Sequence, residues 1–184
     1  MLATQAPPLT RHDYALIPVG SPNYQLIEGD FIMAPSPSFY HQSIAGLLYR
    51  LIGNYLDTHP IGTACIAPID VYLSDLNVYQ PDVLFIRRAN RGIIKKHGIE
   101  GAPDLVIEVL SKTSARYDLG PKRAIYTRTG VEELWIVDPD RRTLALYRLA
   151  TDSETPAATY KAADTFSSTL LPGLTISLKA VFAS

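Results

Sequence analysis

The sequence predicts one α/β (α+β) domain, a mixed β-sheet flanked by helices. Three observations carry that expectation: a long segment with apolar residues at helical spacing, several short apolar runs bounded by turn residues, and an ordinary globular composition. Hydrophobic residues make up 47% and charged residues 19% of the 184 residues. That balance excludes a disordered chain and is enough for a sizeable core.

The elements follow in order. Residues 1–9 read as a loose tail of the single domain 1–184. Thr10 caps a short helix over 11–17, which Pro18 and Gly20 end. Residues 24–27 and 31–34 form a hairpin about Glu28-Gly29-Asp30. Pro35-Ser36-Pro37-Ser38 breaks the chain and offers a cap for the next helix. In that helix Ile44, Leu47, Leu48, Leu51, Ile52, Tyr55 and Leu56 share one face, and His41 joins the same stripe in the first turn.

A second hairpin is expected from 66–73 and 78–86, turning at Ser74-Asp75-Leu76-Asn77. The apolar run 105–110, between Pro103 and Ser111, fits a central strand buried on both faces. Asp118 offers a helix cap, with Pro121 in the first turn and Gly130 at the end. Residues 134–137 and 143–149 pair about Asp138-Pro139-Asp140. A polar loop covers 151–159, and two more strands fall near Tyr160 and at 174–178.

Composition narrows the function. No apolar run approaches the roughly 20 residues of a membrane helix. The first eight residues lack the basic start and apolar middle of a secretory signal, so the expected location is the cytoplasm. Cys65 is the only cysteine, which rules out an internal disulfide or a thiolate metal cluster within one chain. The net charge of −1 is not the positive excess of a protein that coats nucleic acid. Contact with DNA or RNA would need bound cations or a local cluster. The densest is Arg87, Arg88, Arg91, Lys95, Lys96 and His97, which reads equally well as a solvated loop.

Glu108 stands among Leu105, Val106, Ile107, Val109 and Leu110. A carboxylate in so dry a strand must be neutralised, paired or bound to a metal. Asp82, ahead of Val83, Leu84, Phe85 and Ile86, poses the same question in a second strand. By alternation Asp82 shares a face with Leu84 and Ile86, and Glu108 with Val106 and Leu110. In neighbouring strands the two acids converge. Lys122, three residues from Leu119 and four from Tyr126, lies on the inward stripe of the following helix and needs an acidic partner. Two carboxylates can hold a divalent cation, and the lysine can orient an attacking water. The competing reading is a buried salt-bridge network without catalysis.

The order Pro81-Asp82, then Asp104-Leu105-Val106-Ile107-Glu108, then a lysine resembles the PD-(D/E)xK nuclease superfamily. More specifically, the chain resembles the bacterial Uma-two family of restriction-endonuclease-like proteins. The matching stretches are Tyr24 through Asp30, the helix opening with His41, Gln80-Pro81-Asp82-Val83, Ala102 through Ser111, Lys122 to Tyr126, and Gly130-Val131 through Trp135-Ile136-Val137-Asp138-Pro139. The resemblance covers most of residues 20–150, and it lies in the order and spacing of these stretches.

It implies a restriction-endonuclease-like fold with Mg²⁺ or Mn²⁺ held by Asp82 and Glu108, and the lysine moved from the strand to the next helix. Leu110 occupies the usual lysine position. Lys112 is the runner-up to Lys122, which is preferred because Ser111, Thr113 and Ser114 suggest that the strand has ended. Gln25 replaces a common Glu, and Ser111-Lys112-Thr113 replaces a common Ser-Pro-Ser.

His41 reads as a site residue at a helix N-terminus or as a buried histidine satisfied by a neighbour. Gln25, Asp70 and Tyr126 are accessory candidates; Asp70 also reads as a strand-end polar residue and Tyr126 as packing. Glu28, Asp30, Asp138 and Asp140 suit turns. The function expected is a metal-dependent endonuclease acting on DNA, as a homodimer. The alternative is an inactive nuclease-fold protein that serves as a nucleic-acid-binding or assembly module.

Overall fold

The structure, a computed structural model, describes residues 7–18, 21, 23–112 and 114–183. Most of the expected tail, Gly20 as a helix end, and Thr113 lie outside the described residues. Helix α1 spans Arg11–Ala15, and Thr10 and Asp13 close a reciprocal capping box at its start. Strands β1 (Tyr24–Ile27) and β2 (Asp30–Met33) pair antiparallel. Their two-residue turn takes positive φ at Glu28 (51°) and Gly29 (86°), as a primed hairpin turn requires.

Helix α2 spans Phe39–Thr58, with the Ser38 side chain accepting from the His41 N–H at its start. The second expected hairpin is corrected by two prolines. Instead of two long strands there are four short ones: β3 (Gly62–Ile66), β4 (Val71–Ser74), β5 (Asn77–Tyr79) and β6 (Val83–Arg87). Pro68 and Pro81 fall at the breaks, where a residue without an N–H cannot continue a ladder. Strands β4 and β5 therefore pair in one sheet, and β3 and β6 in another.

A 3-10 turn (Arg88–Ile93), β7 (Ile94–Lys95) and β8 (Gly98–Glu100) follow, then β9 (Leu105–Val109). Asp118 does not cap the next helix. It ends a short α3 (Ala115–Asp118), and α4 (Pro121–Thr129) starts from Gly120 and stops at Gly130. The remaining elements are β10 (Glu133–Asp138), β11 (Thr143–Arg148), β12 (Ala158–Lys161), β13 (Thr165–Ser167), β14 (Thr175–Ser177) and α5 (Leu178–Val181).

The first sheet has the order β2-β1-β5-β4-β8-β7, the second β12-β11-β10-β9-β6-β3, and β13 and β14 form a small third. The second sheet carries the core. Leu105, Ile107 and Val109 face Ile44, Leu48 and Ile52 of α2. Val106, Leu134 and Ile136 face Ile125 and Tyr126 of α4. Side-chain alternation along β9 therefore sends Glu108 to the α4 side. At the far end of β10, buried Glu133 accepts from Trp135, Ser168 and Thr169 and ties the last strands to the sheet. Among the described residues no helix is long and apolar enough to cross a membrane.

Candidate active site

The end of the β6–β9 ladder brings the two acids to one place. Strands β6 and β9 run antiparallel with Val83 opposite Ile107 as the last pair, which leaves Asp82 just before β6 at the Glu108 end of β9. Asp82 is fixed by the β9 backbone: its Oδ2 accepts the Val109 N–H at 2.7 Å. The first turn of α2 brings His41 to the same place, with Nε2 2.7 Å from the Val109 carbonyl and 3.4 Å from Asp82 Oδ2. Nε2 donates to that carbonyl, while Nδ1 is buried without a hydrogen-bond partner among the described residues.

Glu108 is 3% exposed and Lys122 is equally enclosed. Glu108 Oε1 accepts from Lys122 Nζ at 2.9 Å and from the Tyr126 hydroxyl at 2.6 Å. Lys122 Nζ also lies 2.9 Å from Asp118 Oδ1 and 5.7 Å from the centre of the Tyr79 ring. The inward stripe is thus Asp118, Lys122 and Tyr126, four residues apart. Leu119, expected on that stripe, points outward and is 42% exposed.

The electrostatics follow from this enclosure. Burial pushes the Glu108 carboxyl up to about 8, with Lys122 opposing and Asp118 and Asp82 adding to the rise. Burial disfavours charge on Lys122, but Glu108 and Asp118 outweigh it and raise its pKa. Burial and then Glu108 keep the Tyr126 phenol protonated. Burial likewise opposes charge on His41, yet Asp82, the Val109 carbonyl and Glu108 lift its pKa.

Asp82, Glu108, Asp118, Lys122 and His41 line one cleft of about 450 Å³, together with Gln25, Lys112 and Asp140; Tyr126 is buried behind Glu108 and does not line it. Gln25 enters from β1, and its Oε1 accepts the Gln80 N–H at 3.1 Å. Lys112 is exposed at the cleft wall, beyond the end of β9. Asp140 enters on the β10–β11 turn, while Asp138 accepts the Arg141 N–H as a turn residue should. Asp70 is not part of the cleft. Its Oδ1 accepts from Tyr14 and the Gln80 amide, both at 2.8 Å, in a separate depression.

The basic cluster is not brought to the cleft either. Arg87 ends β6 roughly 13 Å along the strand from Val83 and is paired with Asp104 and Glu132. Lys95 donates to the Gly92 carbonyl. Arg88 and Arg91 lie on the 3-10 turn and Lys96 on the β7–β8 turn. The sequence reading missed Asp118 as a site residue; its four-residue spacing from Lys122 was the available signal.

Among the described residues, no group of three or more His, Cys, Asp or Glu side chains is placed to surround a metal ion. Asp82 and Glu108 remain the pair able to offer carboxylate oxygens to one, a donor type suited to hard cations.

The sequence profile of the Uma2 family, described as "Putative restriction endonuclease", matches residues 12–179. The fold is similar to the crystal structure of a putative nuclease from Anabaena variabilis, with a TM-score of 0.78 and 21% identity. That likeness covers 96% of this chain and 98% of the other. No curated protein matches the chain.

Proposed function

The chain belongs to the Uma2 family, and from that premise we propose that it is a Mg²⁺- or Mn²⁺-dependent endonuclease that hydrolyses phosphodiester bonds in DNA. The observation that carries the reading is the meeting in one cleft of Glu108 on β9, Asp82 just before β6, and a buried lysine. The described hydrogen bonds fall on Asp82 Oδ2 and Glu108 Oε1, so each carboxylate has a second oxygen, and Asp82 and Glu108 would hold a cation. Mg²⁺ keeps several waters and takes only one or two carboxylates, which fits a site without a third ligand. Bound there, the cation supplies positive charge against the phosphoryl oxygens and lowers the pKa of an attacking water.

The protein's own groups do the rest. Lys122 donates to Glu108 and is ion-paired with Asp118, and its ammonium at the cleft wall serves the attacking water or a phosphoryl oxygen. Tyr126 fixes the Glu108 carboxylate from the next turn of α4. His41 offers an imidazole whose protonation Asp82 favours at the start of a 20-residue helix, where the backbone also favours an anion. Gln25 braces Gln80, two residues before Asp82.

Cleavage of supercoiled and linear DNA in Mg²⁺ or Mn²⁺ tests the proposal. The Asp82→Ala/Glu108→Ala double variant should lose all cleavage while keeping its circular dichroism spectrum. Undiminished cleavage by that variant would overturn the assignment. A two-fold homodimer would present two such clefts to a duplex, and light scattering should give twice the chain mass.

A second reading, an inactive nuclease-fold protein that binds nucleic acid or assembles, is favoured by Gln25. At the cleft wall it is an amide spent on a backbone N–H. On that reading Mn²⁺ would not bind.

A further inference from the structure

Asp118 is a buried carboxylate that the hydrolytic reading uses only as a neighbour of Lys122. It is 2% exposed, and its Oδ1 lies 2.9 Å from Lys122 Nζ, the same distance as Glu108 Oε1 on the other side. Acid–lysine pairs four residues apart are common on exposed helix faces, where they add modest stability. This one is not exposed. Burying a second carboxylate carries a desolvation cost that a surface pair avoids, so helix stabilisation does not account for it.

A divalent cation on Glu108 would place two positive charges close to the Lys122 ammonium. Glu108 would then be shared between cation and lysine, and a buried ammonium whose first partner is shared needs a second one to hold its position. Among the described residues, Asp118 is the other carboxylate in contact with it.

We propose that Asp118 is a positioning residue that holds the Lys122 side chain in place while a divalent cation occupies Glu108. The inference rests on the reading of Asp82 and Glu108 as cation ligands. Asp118 acts through Lys122 and touches neither cation nor substrate.

Calorimetric titration of Mn²⁺ into the wild type, Asp118→Asn, Lys122→Met and the double variant tests this. Asp118→Asn should weaken Mn²⁺ binding about tenfold, because Lys122 then competes fully for Glu108. In the Lys122→Met background the same change should alter affinity by less than about twofold, a strongly non-additive cycle. Equal losses in both backgrounds would overturn the inference and leave the ligand assignment standing. No Mn²⁺ binding by the wild type would overturn the ligand assignment, and this inference with it.

A measurement on the wild type covers the case in which Asp118→Asn does not fold. The Lys122 ammonium signal in a ¹H–¹⁵N spectrum, assigned by its loss in Lys122→Met, should persist when the protein is saturated with Mg²⁺. Its disappearance would overturn the proposal.

Discussion

Burial opposes the ionisation of Glu108 while Lys122 favours it. The carboxyl is raised from an ordinary 4.5 to about 8, so across that range the folded chain binds this proton more tightly than the unfolded one. Folding stability from this group is therefore greatest at low pH and declines as pH climbs towards about 8. A cation that binds the carboxylate must displace the proton. Mn²⁺ affinity should thus rise by up to about tenfold per pH unit below pH 8 and level off above it. Calorimetry in buffers of different ionisation enthalpy should register the released proton; pH-independent affinity would contradict the assignment of Glu108. Glu108, Asp82 and Lys122 were legible in the sequence because charge in an apolar run or stripe demands a partner. Asp118 was not, because an acid just before a helix also suits a cap.

Elements place these residues, so a change at an element's end should be felt at the site. Ser38 caps α2 and binds the backbone of His41 itself. Ser38→Ala should cost about 1 kcal/mol, lowering Tm by roughly 2–4 °C in a chain of this size. An unchanged melting curve would show that the cap contributes nothing. Helix α2 and the two outer hairpins were legible from apolar period and turn residues. The second hairpin was not, because 66–73 and 78–86 are apolar enough to read as continuous. Pro68 and Pro81 instead divide each run between two sheets, and the second break sets Asp82 at a strand start beside Glu108. The short strands β7, β8 and β13 carry too few residues to show a period.

The whole molecule adds what neither scale supplies: the strand order and the end of the sheet at which the cleft opens. No local pattern fixes that β6 lies beside β9, yet the site depends on it. The same topology separates the cleft from Arg88, Arg91 and Lys96, so any DNA contact they make is with the flanking backbone. Replacing all three with Ala should flatten the dependence of log Kd on log salt by up to about 0.9 per lost phosphate contact. Binding measured by fluorescence anisotropy across salt concentrations checks this, and an unchanged slope would remove the cluster from the interface. The most direct test of the central claim is a crystal soaked in Mn²⁺ and measured for anomalous scattering. A peak within roughly 2.0–2.6 Å of one oxygen each of Asp82 and Glu108 is the result predicted. A cleft without such a peak, or Mn²⁺ bound elsewhere, would contradict it.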